Sequence, residues 1–237
     1  MNKEEFWQTI ETVNHAVPDG NHELIVKQMC EELLRCSPQD ILDWELILRE
    51  YNNAACRNDL WAACTALGAH NSDDGFIDFR TWLISQGKTI YMDAMRDPDT
   101  LAANPHTGKE MNFEAFCAID AYRKKLNLTG RDCFMKPYDD LNKHELSDQL
   151  VKDIQSEIPQ HPDAPSICLP RDYSAQFPRI WERMSAQSPE ASATKDAPDL
   201  ARSTHRIFKI NDLFGQQVAL RPRVELYSVR DFMGQEM

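Results

Sequence analysis

Residues 37–51, SPQDILDWELILREY, carry the clearest structural signal in the chain. Ser37 is a preferred residue for capping the N-terminus of a helix, and Pro38 suits the first helical position. Asp40 follows in the first turn, where a negative charge interacts favourably with the helix dipole. Apolar side chains then recur at helical spacing, at Ile41, Trp44, Leu48 and Tyr51. The stretch therefore predicts an amphipathic helix with one buried face.

The segments on both sides of this helix repeat the same pattern. Upstream, apolar spacing predicts two helices separated by Pro18-Asp19-Gly20, a typical turn sequence. Downstream, Asp59 and Ser72 are candidate caps, and Gly68 and Gly87 are candidate helix ends. Further helices are predicted to begin near Asp97 and to span 112–126, 146–154 and 177–184. Together these elements predict a mainly α fold, a multi-helix orthogonal bundle.

The pattern changes near the C-terminus. Residues 185–204 are rich in Ala, Ser, Pro and Asp and lack apolar periodicity, which indicates a linker. The last segment contains three short stretches typical of strands, and three strands alone are marginal in water. We therefore expect an acidic helical domain over residues 1–184, a linker over 185–204, and a short β-rich tail over 205–237. This small C-terminal β segment resembles an incomplete domain.

Charge is the main global clue to function. The chain has 237 residues and a net charge of −12, and the seven basic and seven acidic residues after Ser185 cancel. The whole excess of negative charge therefore lies in residues 1–185, which argues against nucleic-acid binding. No run of about 18 apolar residues predicts a membrane span. The acidic N-terminal residues do not fit a signal peptide, so we expect a cytoplasmic protein that binds neither nucleic acid nor membrane.

Signatures of enzyme chemistry are missing from the sequence. The seven cysteines include no CxxC pair, which argues against a zinc ribbon, and most are predicted to be buried thiols. No GxSxG motif, phosphate-binding loop or dinucleotide fingerprint occurs. We therefore expect no catalytic residue, no metal and no cofactor.

Four blocks in consistent order connect the chain to a known family. They are residues 60–63 (LWAA), 72–76 (SDDGF), 79–87 (FRTWLISQG) and 97–102 (DPDTLA). With Phe6, Trp7 and Ile10, these blocks resemble a bacterial family known as domain of unknown function 4240, over most of residues 1 to about 183. The resemblance implies no enzyme mechanism. Residues 69–71 (AHN) depart from the glycine-rich sequence usual in that family. Residues 220–234 look like the start of a second family, domain of unknown function 4313.

The most polar cluster surrounds the predicted start of the helix at Ser72. His70, Asp73 and Asp74 together could bind a divalent ion or divide acid and base roles. Helix capping by Ser72 or Asp73, with both acids at the positive end of the helix, explains the same residues without any ligand. Arg80 lies on the same helix and could pair with an acid on a neighbouring helix.

A second charged group and the tryptophans can likewise be explained either by a binding role or by a structural one. Asp97 and Asp99 could contribute to a site, but capping of a short helix also accounts for them. The five tryptophans fall on apolar helix faces and are predicted to be core residues, although Trp61 could line a groove. The candidate binding residues are Trp61, His70, Asp73, Asp74, Arg80, Asp97 and Asp99.

Two functions fit these observations. The first is a noncatalytic interaction module that binds a more basic partner protein, of the regulatory or toxin-neutralising (immunity-like) type. Localised negative charge and the missing catalytic signatures favour it. The alternative is an enzyme of unknown class, with a polar pocket around His70, Asp73, Asp74 and Arg80.

Overall fold

The computed structural model describes residues 1–69, 72–108, 111, 117–160 and 172–187. All regular secondary structure in these residues is helical, which confirms the mainly α prediction. The elements are α1 (Lys3–Ala16), α2 (His22–Leu33), α3 (Pro38–Ala54), α4 (Asn58–Ala66), α5 (Asp73–Ser85), α6 (Lys88–Arg96), a 3₁₀ helix (Pro98–Ala103), α7 (Ala118–Lys125), α8 (Gly130–Leu141), α9 (Asp148–Glu157), α10 (Tyr173–Gln176) and α11 (Pro178–Gln187).

Helix α3 lies at the centre of the helical assembly. It begins with a capping box, in which the side chains of Ser37 and Asp40 each accept from the other residue's backbone N–H. Pro38 occupies the first turn, as its sequence position predicts. The helix packs against α1, α5, α7 and α9. The segment with the strongest local signal is therefore also the one around which the other helices gather.

An aromatic cluster fills the space between α1, α3 and α6. The Phe6 ring lies 5.1 Å from Trp44 and 5.4 Å from Tyr51, while the Trp7 ring lies 4.7 Å from Tyr51 and 5.5 Å from Tyr91. All five side chains are buried. The Tyr91 hydroxyl donates to the Tyr51 carbonyl at 2.7 Å, so this buried hydroxyl has a hydrogen-bond partner. Burial of this many large rings supplies much of the hydrophobic stabilisation of the fold.

Most predicted helix boundaries are confirmed, and one cap is wrong. Gly68 follows α4 with φ +78° and Gly87 follows α5 with φ +94°, backbone angles that glycine adopts without steric cost. Asp59, however, does not cap α4. The N-cap is Arg57, and Asp59 is a buried residue of the first turn whose carboxylate accepts from the Arg57 guanidinium. The Asp59 carboxylate is therefore paired with Arg57 within the first turn of α4 and does not cap the N-terminus of that helix.

One tryptophan prediction is also wrong. Trp7, Trp44 and Trp82 are buried as expected, but the Trp181 side chain is exposed. Helix α11 buries the preceding residue, Ile180, and neighbouring positions on a helix point about 100° apart. Because Ile180 faces the core, the adjacent Trp181 side chain points away from it.

Several predictions concern residues outside the described part of the chain. Residues 188–204 of the predicted linker and the β-rich tail fall there, so the domain boundaries stay predictions. Helix α11 runs to Gln187, three residues into the predicted linker. No helix in the ranges that the structure describes is long and apolar enough to cross a bilayer. The cytoplasmic location remains a prediction.

Candidate functional site

The start of α5 confirms the capping interpretation of its polar sequence. The Ser72 hydroxyl accepts a hydrogen bond from the backbone N–H of Gly75 at 3.1 Å, and Ser72 has the extended backbone of an N-cap. Asp73 and Asp74 follow in the first turn, and both side chains are exposed. The cap is therefore provided by Ser72, and neither carboxylate is needed for it.

The two carboxylates are available at the surface. In the described part of the structure, neither Asp73 nor Asp74 forms a hydrogen bond or an ion pair through its side chain. Ile77 lies one turn further along α5, at i+4 from Asp73 and i+3 from Asp74, so the three side chains share one side of the helix. The Ile77 side chain is 46% exposed. We call Asp73, Asp74 and Ile77 the α5 acidic face.

Trp61 borders α5 from the neighbouring helix α4. Its ring stacks on the Phe76 ring, with centroids 4.8 Å apart and planes inclined by 22°. Phe76 is buried, whereas Trp61 is half-buried. Because Phe76 lies between Asp74 and Ile77 in sequence, this stacking fixes the orientation of the α5 acidic face relative to α4.

Arg80 is buried and hydrogen-bonded to backbone carbonyls, so its guanidinium is not exposed to solvent. The side chain is 5% exposed, and its Nη1 donates to the Asn52 carbonyl at 2.9 Å while Nε donates to the Phe76 carbonyl at 3.4 Å. Its guanidinium carbon lies 5.0 Å from the Phe76 ring centroid, a cation–π distance. Burial lowers the pKa of the guanidinium from its usual value. Arg80 thus ties α5 to the end of α3, and no carboxylate among the described residues pairs with it.

The predicted cluster is therefore only partly assembled. Trp61 and Arg80 share the Phe76 ring, while Asp73 and Asp74 point to solvent and are not bonded to Arg80. His70 lies outside the described residues.

Asp97 and Asp99 have a structural role in holding α11. Asp99 is 3% exposed, and its carboxylate accepts from the backbone N–H groups of Arg179 at 3.0 Å and Ile180 at 2.8 Å. The same carboxylate accepts from Arg179 Nε at 2.9 Å, and Asp97 accepts from the other end of that guanidinium. Asp99 therefore serves as an N-terminal cap for α11 from a distant part of the sequence.

A charged cluster that local sequence patterns do not indicate lies at the end of α9. The Glu157 carboxylate accepts from Lys3 Nζ at 2.8 Å, from Lys88 Nζ at 3.0 Å and from the Tyr51 hydroxyl. Burial favours protonation of Glu157, but these three donors outweigh it and lower its pKa below the usual value. The four residues are more than 35 positions apart in sequence, so no local pattern could have identified the cluster.

Metal chemistry receives no support from the described residues. Over these ranges, no group of three or more His, Cys, Asp or Glu side chains is arranged to hold an ion. The α5 acidic face presents two negative charges, unpaired among the described residues, and one exposed apolar side chain.

Comparison with known proteins identifies the family. Residues 1–124 match a family described as "Protein of unknown function (DUF4240)", and the chain belongs to this family. The match includes α1 to α6 and the α5 acidic face, and it ends within α7. No curated protein and no solved structure matches the chain. The resemblance of the tail to a second family stays a prediction.

Proposed function

We propose that this chain is a noncatalytic binding domain whose α5 acidic face binds a more basic partner protein. The observation that carries the proposal is the exposure of Asp73 and Asp74, unpaired among the described residues, beside the exposed Ile77. A partner with Lys or Arg side chains around an apolar pocket would complement these three groups.

Two physical effects would bring a basic partner to the α5 acidic face and hold it there. Charges of one sign attract an oppositely charged partner over a distance of about 10 Å and raise the rate of association. An apolar side chain that becomes buried on contact then slows dissociation, because its burial removes apolar area from water. The α5 acidic face offers both kinds of group within two turns of one helix.

The net charge of the domain supports the same partner class. All of the −12 charge lies in residues 1–185, so a basic protein would be attracted before it reaches the face. We propose a regulatory or toxin-neutralising (immunity-like) role, in which binding covers the functional surface of that protein.

The experiment is quantitative affinity purification from the native host. We compare the wild-type chain with a double variant of the face, Asp74→Lys with Ile77→Ser. A matched control, Glu23→Lys with Leu24→Ser, reverses an exposed first-turn acid on α2 and truncates a side chain that is 48% exposed. The two double variants therefore change charge and apolar surface equally.

A basic protein should co-purify with the wild type and the control, and its recovery should fall with the face variant. We expect weaker binding by about tenfold or more, since a loss of about 1.4 kcal/mol changes the dissociation constant tenfold. Equal recovery with both double variants would show that the partner binds elsewhere on the chain.

The enzyme alternative has less support from the geometry. It requires Asp73, Asp74 and Arg80 to line one pocket, yet the two acids are exposed and Arg80 is buried against the Asn52 carbonyl. A metabolite or metal that the wild type retains and the Asp73→Ala variant loses would favour this alternative.

A further inference from the structure

Two buried thiols meet where α2 packs against α7. Cys30 lies near the end of α2, and Cys117 is the N-cap residue of α7. The Cys117 Sγ donates to the Val26 carbonyl at 3.3 Å, and Cys30 is one helical turn beyond Val26. The Cys117 sulfur therefore lies against the turn of α2 that carries Cys30. The two cysteines thus meet at the contact between α2 and α7 although 86 residues separate them in sequence.

A positive charge lies beside one of the two sulfur atoms. Lys124, on the same helix α7, donates from Nζ to the Cys30 Sγ at 3.5 Å. The Lys124 side chain is exposed, so the Cys30 sulfur lies just beneath the surface at this point. An ammonium group next to a sulfur is the arrangement that favours thiolate reactivity in proteins. The Cys117 sulfur has no such neighbour among the contacts that the structure describes.

We propose that Cys30 and Cys117 are an oxidative modification site, at which a hydroperoxide converts the two thiols into a disulfide that joins α2 to α7. Cys30 is the attacking residue, Cys117 is the resolving residue, and Lys124 positions charge for the attack.

The reaction balances in two steps. The Cys30 thiolate attacks one oxygen of hydrogen peroxide, the O–O bond breaks, and hydroxide leaves while a sulfenic acid forms on Cys30. The Cys117 sulfur then attacks the Cys30 sulfur, the S–O bond breaks, and water leaves with the Cys117 proton. The two sulfurs lose two electrons in total, and the peroxide is reduced to two molecules of water after the hydroxide takes up a proton.

The environment of Cys117 makes it the poorer attacking thiol of the two. Burial, and then the nearby Cys30 sulfur, raise the pKa of the Cys117 thiol, so it carries its proton at neutral pH. Cys117 is therefore assigned the second step, in which its proton leaves with the sulfenic oxygen as water.

Cys64 offers an internal comparison. It is buried on α4, and burial alone raises the pKa of its thiol to about 12. The attack of peroxide requires a thiolate, so Cys64 should react far more slowly than Cys30.

The test uses the reduced 237-residue chain and hydrogen peroxide. Samples are alkylated at intervals, digested without reductant and analysed by mass spectrometry. We expect a linked peptide pair that contains Cys30 and Cys117 and is two hydrogen atoms lighter than the separate peptides. It should appear before any oxidation product of Cys64, and a thiol reductant should reverse it.

Two lysine variants separate a charge effect from a structural one. Lys124→Gln should slow formation of the linked pair by about tenfold, whereas Lys124→Arg should retain the rate. Lys125→Gln is the matched control, because Lys125 donates to the Leu34 carbonyl at 2.9 Å and holds α7 to α2 without touching a sulfur. The proposal fails if the linked pair does not form while Cys36 or Cys133 is oxidised, or if Lys125→Gln slows it as much as Lys124→Gln.

Discussion

At the N-terminus of α5, adjacent residues have different roles. Ser72 is structural, and Asp73 and Asp74 are the residues that we propose for binding. The Ser72 hydroxyl makes the capping hydrogen bond, while Asp73 and Asp74 only add negative charge near the end of the helix. This division explains why the sequence predicted the location of the polar cluster but not its assembly. Local spacing identifies a cap, whereas exposure of the two acids and burial of Arg80 depend on how α3, α4 and α5 pack.

The first prediction concerns this cap. Ser72→Ala should lower the free energy of unfolding by about 0.5–2 kcal/mol, because the Gly75 N–H loses its acceptor. Asp74→Ala should cost less, about 0.3–1 kcal/mol, because only the dipole interaction is lost. Urea denaturation of both variants measures the difference, and Ser72→Asp serves as the control that restores an acceptor. A larger loss for Asp74→Ala would contradict the assignment of the cap to Ser72.

A second residue-scale prediction concerns Glu157 and acid. Its pKa is lower in the folded chain than the ordinary value of 4.5, so its contribution to stability is complete above about pH 4.5. That contribution is lost as the pH falls below 4.5 through the folded value. Glu157→Gln should therefore cost about 1–3 kcal/mol at pH 7, since the bonds from Lys3 and Lys88 lose their charged acceptor.

The measurement is urea denaturation of wild type and Glu157→Gln at pH 7 and at pH 3. The difference in unfolding free energy should be largest at pH 7 and shrink at pH 3. Glu23→Gln, at an exposed position on α2, is the control and should show little difference at either pH. A gap between wild type and Glu157→Gln that stays constant over this range would contradict the role of the carboxylate charge.

At the scale of elements, prediction succeeded where the start and end of a helix are encoded locally. The caps Ser37 and Ser72 and the glycines at 68 and 87 mark α3, α4 and α5 within the sequence itself. Helices α6 and α8 have no side-chain cap at their starts, because the N-cap of α6 is Gly87 and the Thr129 side chain makes no capping bond to α8.

Helix α8 also contradicts the pattern on which helix prediction depends. Pro137 lies inside it, and its large apolar residues Phe134 and Met135 are exposed rather than buried. An apolar face could not be recognised from spacing in such a segment. The helix forms through its contacts with α7, including the bond from the Tyr122 hydroxyl to Asp140 at 2.8 Å.

The third prediction concerns attachment of α11. Asp99→Ala should cost about 2–4 kcal/mol, since it leaves two backbone N–H groups and the Arg179 side chain without their acceptor. Asp97→Ala should cost less, about 0.5–2 kcal/mol, because it loses a surface ion pair and the bond from the Asp99 N–H that caps the 3₁₀ helix.

Hydrogen exchange of the α11 amides, together with urea denaturation, distinguishes the two substitutions. Protection of α11 should fall sharply in Asp99→Ala and little in Asp97→Ala. If both variants lost protection equally, the buried cap would not be what holds the helix.

At the scale of the whole molecule, the negative charge gives a prediction about salt. Association of the basic partner with the wild-type chain should slow as the ionic strength rises from about 0.05 M to 0.5 M, because salt screens the attraction. The α5 face variant, Asp74→Lys with Ile77→Ser, should show a weaker dependence on salt. Stopped-flow or surface-plasmon measurement of the association rate tests both, and a rate independent of salt would exclude electrostatic steering.

The most direct test of the proposed function is native mass spectrometry of the chain purified from its own host. We predict the 27.3 kDa chain in a stoichiometric complex with a basic protein, and loss of that complex in the α5 face variant. A chain that carries no protein partner, but retains a metabolite or metal ion that Asp73→Ala removes, would contradict the binding-domain account and support an enzyme.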